Sequence, residues 1–122
     1  MKRCSTGSKL IDNILEGGLE NEVTTTIYGP SGSGKTNIAI LAALYNAKDS
    51  KIIFIDTEGG FSIDRVKQMF PEDHERRLKT LIIFKPTTFT EQTELFRNLE
   101  KFANEHEPSL IVVDSLSMLY RL

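Results

Sequence analysis

Eight consecutive residues restrict this chain more than anything else in it: Gly29-Pro30-Ser31-Gly32-Ser33-Gly34-Lys35-Thr36. They fill every fixed position of the pattern G-x-x-x-x-G-K-[ST]. With glycine near 7% of residues, that match should arise by chance in fewer than about one in a hundred chains of this length. Such a loop joins a strand to a helix, and the flanks agree. Val23 to Tyr28 reads as a β-rich run and Asn37 to Ala47 as a helix. The fold therefore has to contain a strand–loop–helix unit.

Each residue type has a physical reason. Glycines at 29, 32 and 34 let successive backbone N–H groups turn inward and form an anion nest. The following helix aims its positive end at the same point. Lys35 adds a compact charge suited to β- and γ-phosphates, and the Thr36 hydroxyl suits Mg2+. A plain Gly-Ser turn would leave Lys35 and Thr36 without a role. A dinucleotide fingerprint fails, because Asn37 stands where a third glycine is required. The expected ligand is a nucleoside triphosphate.

With 122 residues, 39% hydrophobic and 26% charged, the composition is that of one globular domain. Fifteen basic against seventeen acidic residues give a net charge of -2, so no overall attraction to nucleic acid is built into this stretch. Arg76, Arg77 and Lys79 read as solvated surface. Cys4 is the only cysteine, which excludes an internal disulfide and suits a reducing, cytoplasmic setting. Apolar runs such as Leu81 to Phe84 are far too short to span a bilayer.

Ser8 to Glu16 reads as a short helix with Leu10, Ile11, Ile14 and Leu15 on one face, stopped by Gly17-Gly18. Lys51 to Asp56 is an apolar strand leading into Thr57-Glu58-Gly59-Gly60, and Ser62 to Phe70 a helix halted by Pro71. Leu81 to Phe84 is a third strand. Thr88 and Glu91 form a capping-box pattern before Leu95, Phe96, Leu99, Phe102 and Ala103, which repeat at helical spacing up to Pro108. Leu110 to Val113 is a fourth strand, ending at Asp114. Alternating strands and helices imply an α/β fold, a parallel sheet with helices on both faces.

Ligands in such sheets collect beyond the carboxyl ends of the strands. Asp114, after four apolar strand residues, has the placement of a Walker B carboxylate near Mg2+. Glu58, two residues past its strand, suits a group that orients or deprotonates water. The bland alternatives are a helix cap for Asp114 and an exposed turn residue for Glu58.

At this point the chain resembles the RecA-like recombinases, most closely their archaeal RadA and RadB branch. The resemblance rests on Ser5-Thr6-Gly7-Ser8-Lys9 with Gly17-Gly18-Leu19-Glu20, on the P-loop, on Asp56-Thr57-Glu58-Gly59-Gly60-Phe61, and on Asp114-Ser115-Leu116-Ser117-Met118-Leu119-Tyr120-Arg121. Met1 stands a few residues before Ser5, which favours the RadB type over RadA proteins with their helical N-terminal domain. The resemblance implies ATP binding with weak hydrolysis, Mg2+, and a DNA-binding accessory role in recombination and repair. It implies catalytic roles for Lys35 and Glu58, metal contacts from Thr36 and Asp114, and nucleotide contacts from residues 29–37. Arg65 matches an Arg that looks like an adenine-stacking residue, with a surface ion-pair role as the alternative. Asn37 replaces a usual Gln and Ser62 a usual Arg. DNA would be contacted through regions beyond Leu122, with a recombinase or a Holliday-junction resolvase as protein partner.

The resemblance also implies that residues 1–122 are the N-terminal part of a single RecA-like ATPase domain. In that fold a later strand lies between the P-loop strand and the Walker B strand. Thr24 to Tyr28 and Leu110 to Val113 would then lack their common neighbour, and the segment alone is expected to hydrolyse ATP negligibly. Other readings are a KaiC-like ATPase, whose catalytic position carries two adjacent acids where here Gly59 follows Glu58, a small-molecule kinase, and a nucleotide-operated switch without hydrolysis.

Overall fold

The segment Ile52-Ile53-Phe54-Ile55-Asp56 has every side chain buried, so it can only be a strand flanked on both edges and covered on both faces. A computed structural model describes residues 2–27, 34–48 and 50–115. In chain order the elements are β1 (Arg3–Cys4), α1 (Lys9–Ile14), β2 (Leu19–Glu20), α2 (Lys35–Tyr45), β3 (Ile52–Asp56), α3 (Ile63–Met69), α4 (His74–Leu78), β4 (Leu81–Phe84), α5 (Phe89–Arg97), α6 (Leu99–His106) and β5 (Leu110–Asp114). Strand β3 pairs in parallel with β4 on one side and β5 on the other. Ile52 lies opposite both Leu81 and Leu110, and Asp56 lies opposite Asp114.

Alternation along β3 sorts its side chains into two layers. Ile52 and Phe54 pack with Ile40, Ala43 and Leu44 of α2 and with Phe61 and Val66. Ile53 and Ile55 pack with Leu95 of α5, joined by Phe96 and by Leu99 and Phe102 of α6. Phe84 stacks on Phe102 with ring centroids 5.2 Å apart. The expected parallel sheet with helices on both faces is therefore present.

Local chemistry sets the ends of the helices. Ser62 and Thr88 accept hydrogen bonds from Arg65 N (3.3 Å) and Glu91 N (3.1 Å), opening α3 and α5. The return arm of the capping box lands one residue earlier than the pattern predicts, with Glu91 Oε2 accepting from Thr87 N at 2.7 Å and Thr87 Oγ1 at 3.0 Å. Where one helix was expected, Asn98 divides α5 from α6. Its side-chain amide donates to Glu94 O at 2.8 Å, competing with the helical ladder.

Three other expectations change. Val23 to Ile27 forms no strand, and its residues are exposed. A strand exists only through a partner's ladder, and none of the described strands pairs with it. On α1, Leu10 and Ile14 are each 71% exposed, because a polar knot and not apolar packing holds this helix. The Asp12 carboxylate accepts from Ser5 Oγ, from Thr6 N at 2.8 Å and from Thr6 Oγ1 at 2.7 Å. Finally, Arg77 is not solvated surface. Its Nη1 donates to the last-turn carbonyls of α2, Leu44 O at 2.7 Å and Tyr45 O at 3.2 Å, while its guanidinium lies 4.3 Å from the centre of the Phe70 ring.

The strand before Ser5-Thr6-Gly7 and the strand after Gly17-Gly18 lie together, as β1 pairs antiparallel with β2. Gly18 has φ +111°, and a Cβ there would stand 2.4 Å from Cys4 O. Gly18→Ala is expected to cost at least about 1–3 kcal/mol from backbone conformation alone, read as a lower midpoint in urea unfolding. The hydroxyls of Ser5 and Thr6 hold the Asp12 carboxyl below its usual value of 3.8. A depressed folded-state value contributes stability above about pH 4 that is lost as pH falls through the lower value. Asp12→Asn should therefore lower stability at neutral pH and flatten the acid limb of a stability–pH profile.

Candidate functional site

Helix α2 begins differently from every other described helix. Gly34 occupies its N-cap in the left-handed region, φ +89°, where glycine alone is unstrained, and supplies no side-chain acceptor. The first turns of α1, α3, α4, α5 and α6 carry Asp12, Asp64, Glu75, Glu91 and Glu100 respectively, whereas α2 opens on Lys35-Thr36-Asn37 with no acid. Its leading N–H groups and positive dipole end are thus left without an anionic partner from its own turn. Among the described residues Lys35 makes no ion pair. Gly29, Pro30, Ser31, Gly32 and Ser33 lie outside the described residues.

The turn after β3 is built by Asp56. Its buried carboxylate accepts three backbone N–H bonds, from Gly59 (2.8 Å) and Gly60 (3.1 Å) on Oδ1 and from Phe61 (3.1 Å) on Oδ2. Phe61 then closes the turn edge-to-face against Phe54, with centroids 5.1 Å apart. Glu58, exposed in this clamped loop, follows two residues after the carboxyl end of β3. The loop adjoins the start of α2, since a Cβ on Gly60 would come within 3.2 Å of Thr36 Cγ2 and 3.7 Å of Thr36 Oγ1.

Asp114 ends β5 beside Asp56 and is 6% exposed. Its Oδ2 is buried without a hydrogen-bond partner among the described residues. A buried carboxylate oxygen lacking a donor suits a cation, and a hydroxyl such as that of Thr36 is a second hard oxygen ligand. No group of three or more His, Cys, Asp or Glu residues is gathered for a metal among the described residues.

Arg65 Nη1 donates to Asn37 Oδ1 at 2.8 Å, joining α3 to the first turn of α2. Two of the residues expected to contact nucleotide, one on each helix, therefore lie side by side, and the Arg65 partner is an amide and not an acid. The roles of Asp56 and Thr57 were not foreseen in the sequence. An Asp at a strand end followed by two glycines was the available signal for the first. Thr57 gave none.

The Rad51 family model matches residues 1–122. The chain belongs to the Rad51 family. It is 44% identical over 115 residues to the DNA repair and recombination protein RadB of Methanobrevibacter smithii, covering 92% of this chain and 49% of that protein. The RadB of Methanothermobacter thermautotrophicus is 45% identical over 115 residues, with 92% and 49% covered. The RadB of Thermococcus sibiricus is 40% identical over 121 residues, with 97% and 52% covered. The chain thus spans about half the length of the curated relatives it matches, and RadB is the branch these similarities point to.

Asp56→Asn turns one acceptor oxygen into a donor facing an N–H. Losing charge-assisted bonds of this kind should cost about 1.5–3 kcal/mol, measured by chemical denaturation. The loop 57–61 should also gain amide hydrogen exchange.

Proposed function

We propose that this chain forms the N-terminal part of a RecA-like ATPase domain, which binds ATP with Mg2+ and hydrolyses it weakly. The protein serves as a DNA-binding accessory of homologous recombination and repair. The observation that carries the nucleotide reading is the acid-free, glycine-capped start of α2 beside the clamped loop of Glu58 and the buried Oδ2 of Asp114, which has no hydrogen-bond partner among the described residues. Lys35 binds the β- and γ-phosphates as a point charge. Thr36 and Asp114 hold the metal, which when bound neutralises charge on the phosphate oxygens. Glu58 orients the attacking water and accepts its proton. Asn37 and Arg65 face the nucleoside end of the site, Arg65 offering a guanidinium plane to the base.

The recombination role rests on membership of the Rad51 family and on likeness to RadB proteins. With a net charge of -2, this half carries no overall attraction to DNA, so contact with DNA falls to regions beyond Leu122. A recombinase or a Holliday-junction resolvase is the expected protein partner. No helix among the described residues is long and apolar enough to cross a membrane, and the proposed site of action is the cytoplasm.

Two variants of the full-length protein test the assignments by calorimetry and phosphate release. Lys35→Ala should weaken ATP binding by roughly tenfold to a hundredfold, the worth of a charge-assisted contact. Glu58→Gln should retain nucleotide while hydrolysis falls by about 10²–10⁴. Normal binding and turnover in both variants would overturn the reading.

A further inference from the structure

We propose that the Thr57 hydroxyl is the positioning group that aims the Asp114 carboxylate at the cation. The idea rests on the nucleotide-site reading above and adds a residue to it. The β3–β5 ladder ends at the pair Asp56 and Asp114. One step later, Thr57 N donates to Asp114 O at 3.0 Å. The Thr57 hydroxyl then grips the residue just past β5, donating to Ser115 O at 2.6 Å and accepting from Ser115 N at 2.8 Å. Thr57 thus holds the link between Asp114 and Ser115 from 58 positions away in sequence, its backbone N–H on Asp114 O and its buried hydroxyl on Ser115 N and O.

That bracket matters because, among the described residues, no hydrogen bond holds the buried Oδ2 of the carboxylate, so the backbone of residues 114 and 115 sets its direction. Only a hydroxyl can donate and accept at one atom in a space this small, and valine, of the same shape, can do neither. Thr57 is also the residue before Glu58. The same group that fixes Asp114 therefore ties the Glu58 loop to the end of β5. A merely structural Thr57 would close the sheet without caring what Asp114 binds.

The two roles separate in the full-length protein when ATP is titrated by calorimetry with Mg2+ and with EDTA. Thr57→Val should bind ATP in EDTA within about twofold of the unmodified protein. Its apparent Mg2+ affinity in the presence of ATP should fall about tenfold to a hundredfold, as for other groups that orient a metal ligand. Thr57→Ser should restore it. Asp114→Asn is the comparison and should lose the Mg2+ enhancement outright. If Asp114→Asn loses the enhancement while Thr57→Val keeps it, Thr57 does not position Asp114, although the site reading stands. Equal weakening with Mg2+ and with EDTA in Thr57→Val would mark a structural role and also overturn the proposal. If Asp114→Asn keeps the enhancement, the site reading itself falls. Should Thr57→Val not fold, Thr57→Ala, which lacks the hydroxyl without adding bulk, is read the same way.

Discussion

Burial of β3 on both faces and along both edges is the constraint from which the rest follows. Each fully buried Ile or Phe contributes about 1.5–3 kcal/mol, so Ile52, Ile53, Phe54 and Ile55 together outweigh any single cap or ion pair in the molecule. The carboxyl end of β3 is consequently the least mobile point from which a loop could start. Asp56 exploits this by gathering three N–H groups at once, and Phe61 returns the chain to the same strand through Phe54. Thr57 and Glu58 therefore project from a rigid mount. The water-orienting role proposed for Glu58 would need that rigidity more than it needs burial.

Strand β5 plays a different part. Its outer edge is unpaired among the described residues, and Ile111 is 38% exposed there. Yet its last residue carries the most costly group at the site. Its Oδ2 has no donor among the described residues; a buried carboxylate oxygen left so is unfavourable by more than a neutral orphan's roughly 1–3 kcal/mol, and such groups concentrate where a ligand completes them. The Thr57 bracket on Ser115 explains how an edge strand can still hold that carboxylate at a fixed bearing.

Much of this was legible in the sequence because the signals were local. Leu81 to Phe84 is an apolar run between polar stretches, and it forms β4 with those bounds. Ser8, Ser62 and Thr88 were readable as helix starts because a hydroxyl before an amphipathic run satisfies an orphan N–H. Helix α4 was not legible. Its five residues have no apolar periodicity, and Asp73 organises them through Arg76 and Arg77. Val23 to Ile27 misled for the converse reason, since β-rich composition gives a propensity but a strand needs a neighbour. The candidate side chains were recognisable by type and spacing. What fixes them, such as Thr57 to Ser115 or Arg65 to Asn37, is a contact between residues distant in sequence, to which no local pattern corresponds.

Helix α2 shows how the fold divides labour along one element. Its carboxyl half is anchored three ways. Gly7 packs with a Cβ position 3.1 Å from Leu41 and Tyr45, Asn46 Nδ2 donates to Ser5 O at 2.9 Å, and Arg77 covers the last carbonyls. The Arg77 cation also complements the negative end of the dipole, an arrangement typically worth 0.3–1 kcal/mol and up to about 2 kcal/mol when half-buried. With that end satisfied by the protein, the amino end need not contribute to stability through a cap of its own. It has Gly34 in place of a Ser, Thr or Asp, and Lys35 in place of an acid. A helix so held at one end, with no acid in its first turn at the other, suits the anion proposed for it. The Ser-Thr-Gly motif, remote from Lys35 along the helix, helps keep α2 in place through these contacts.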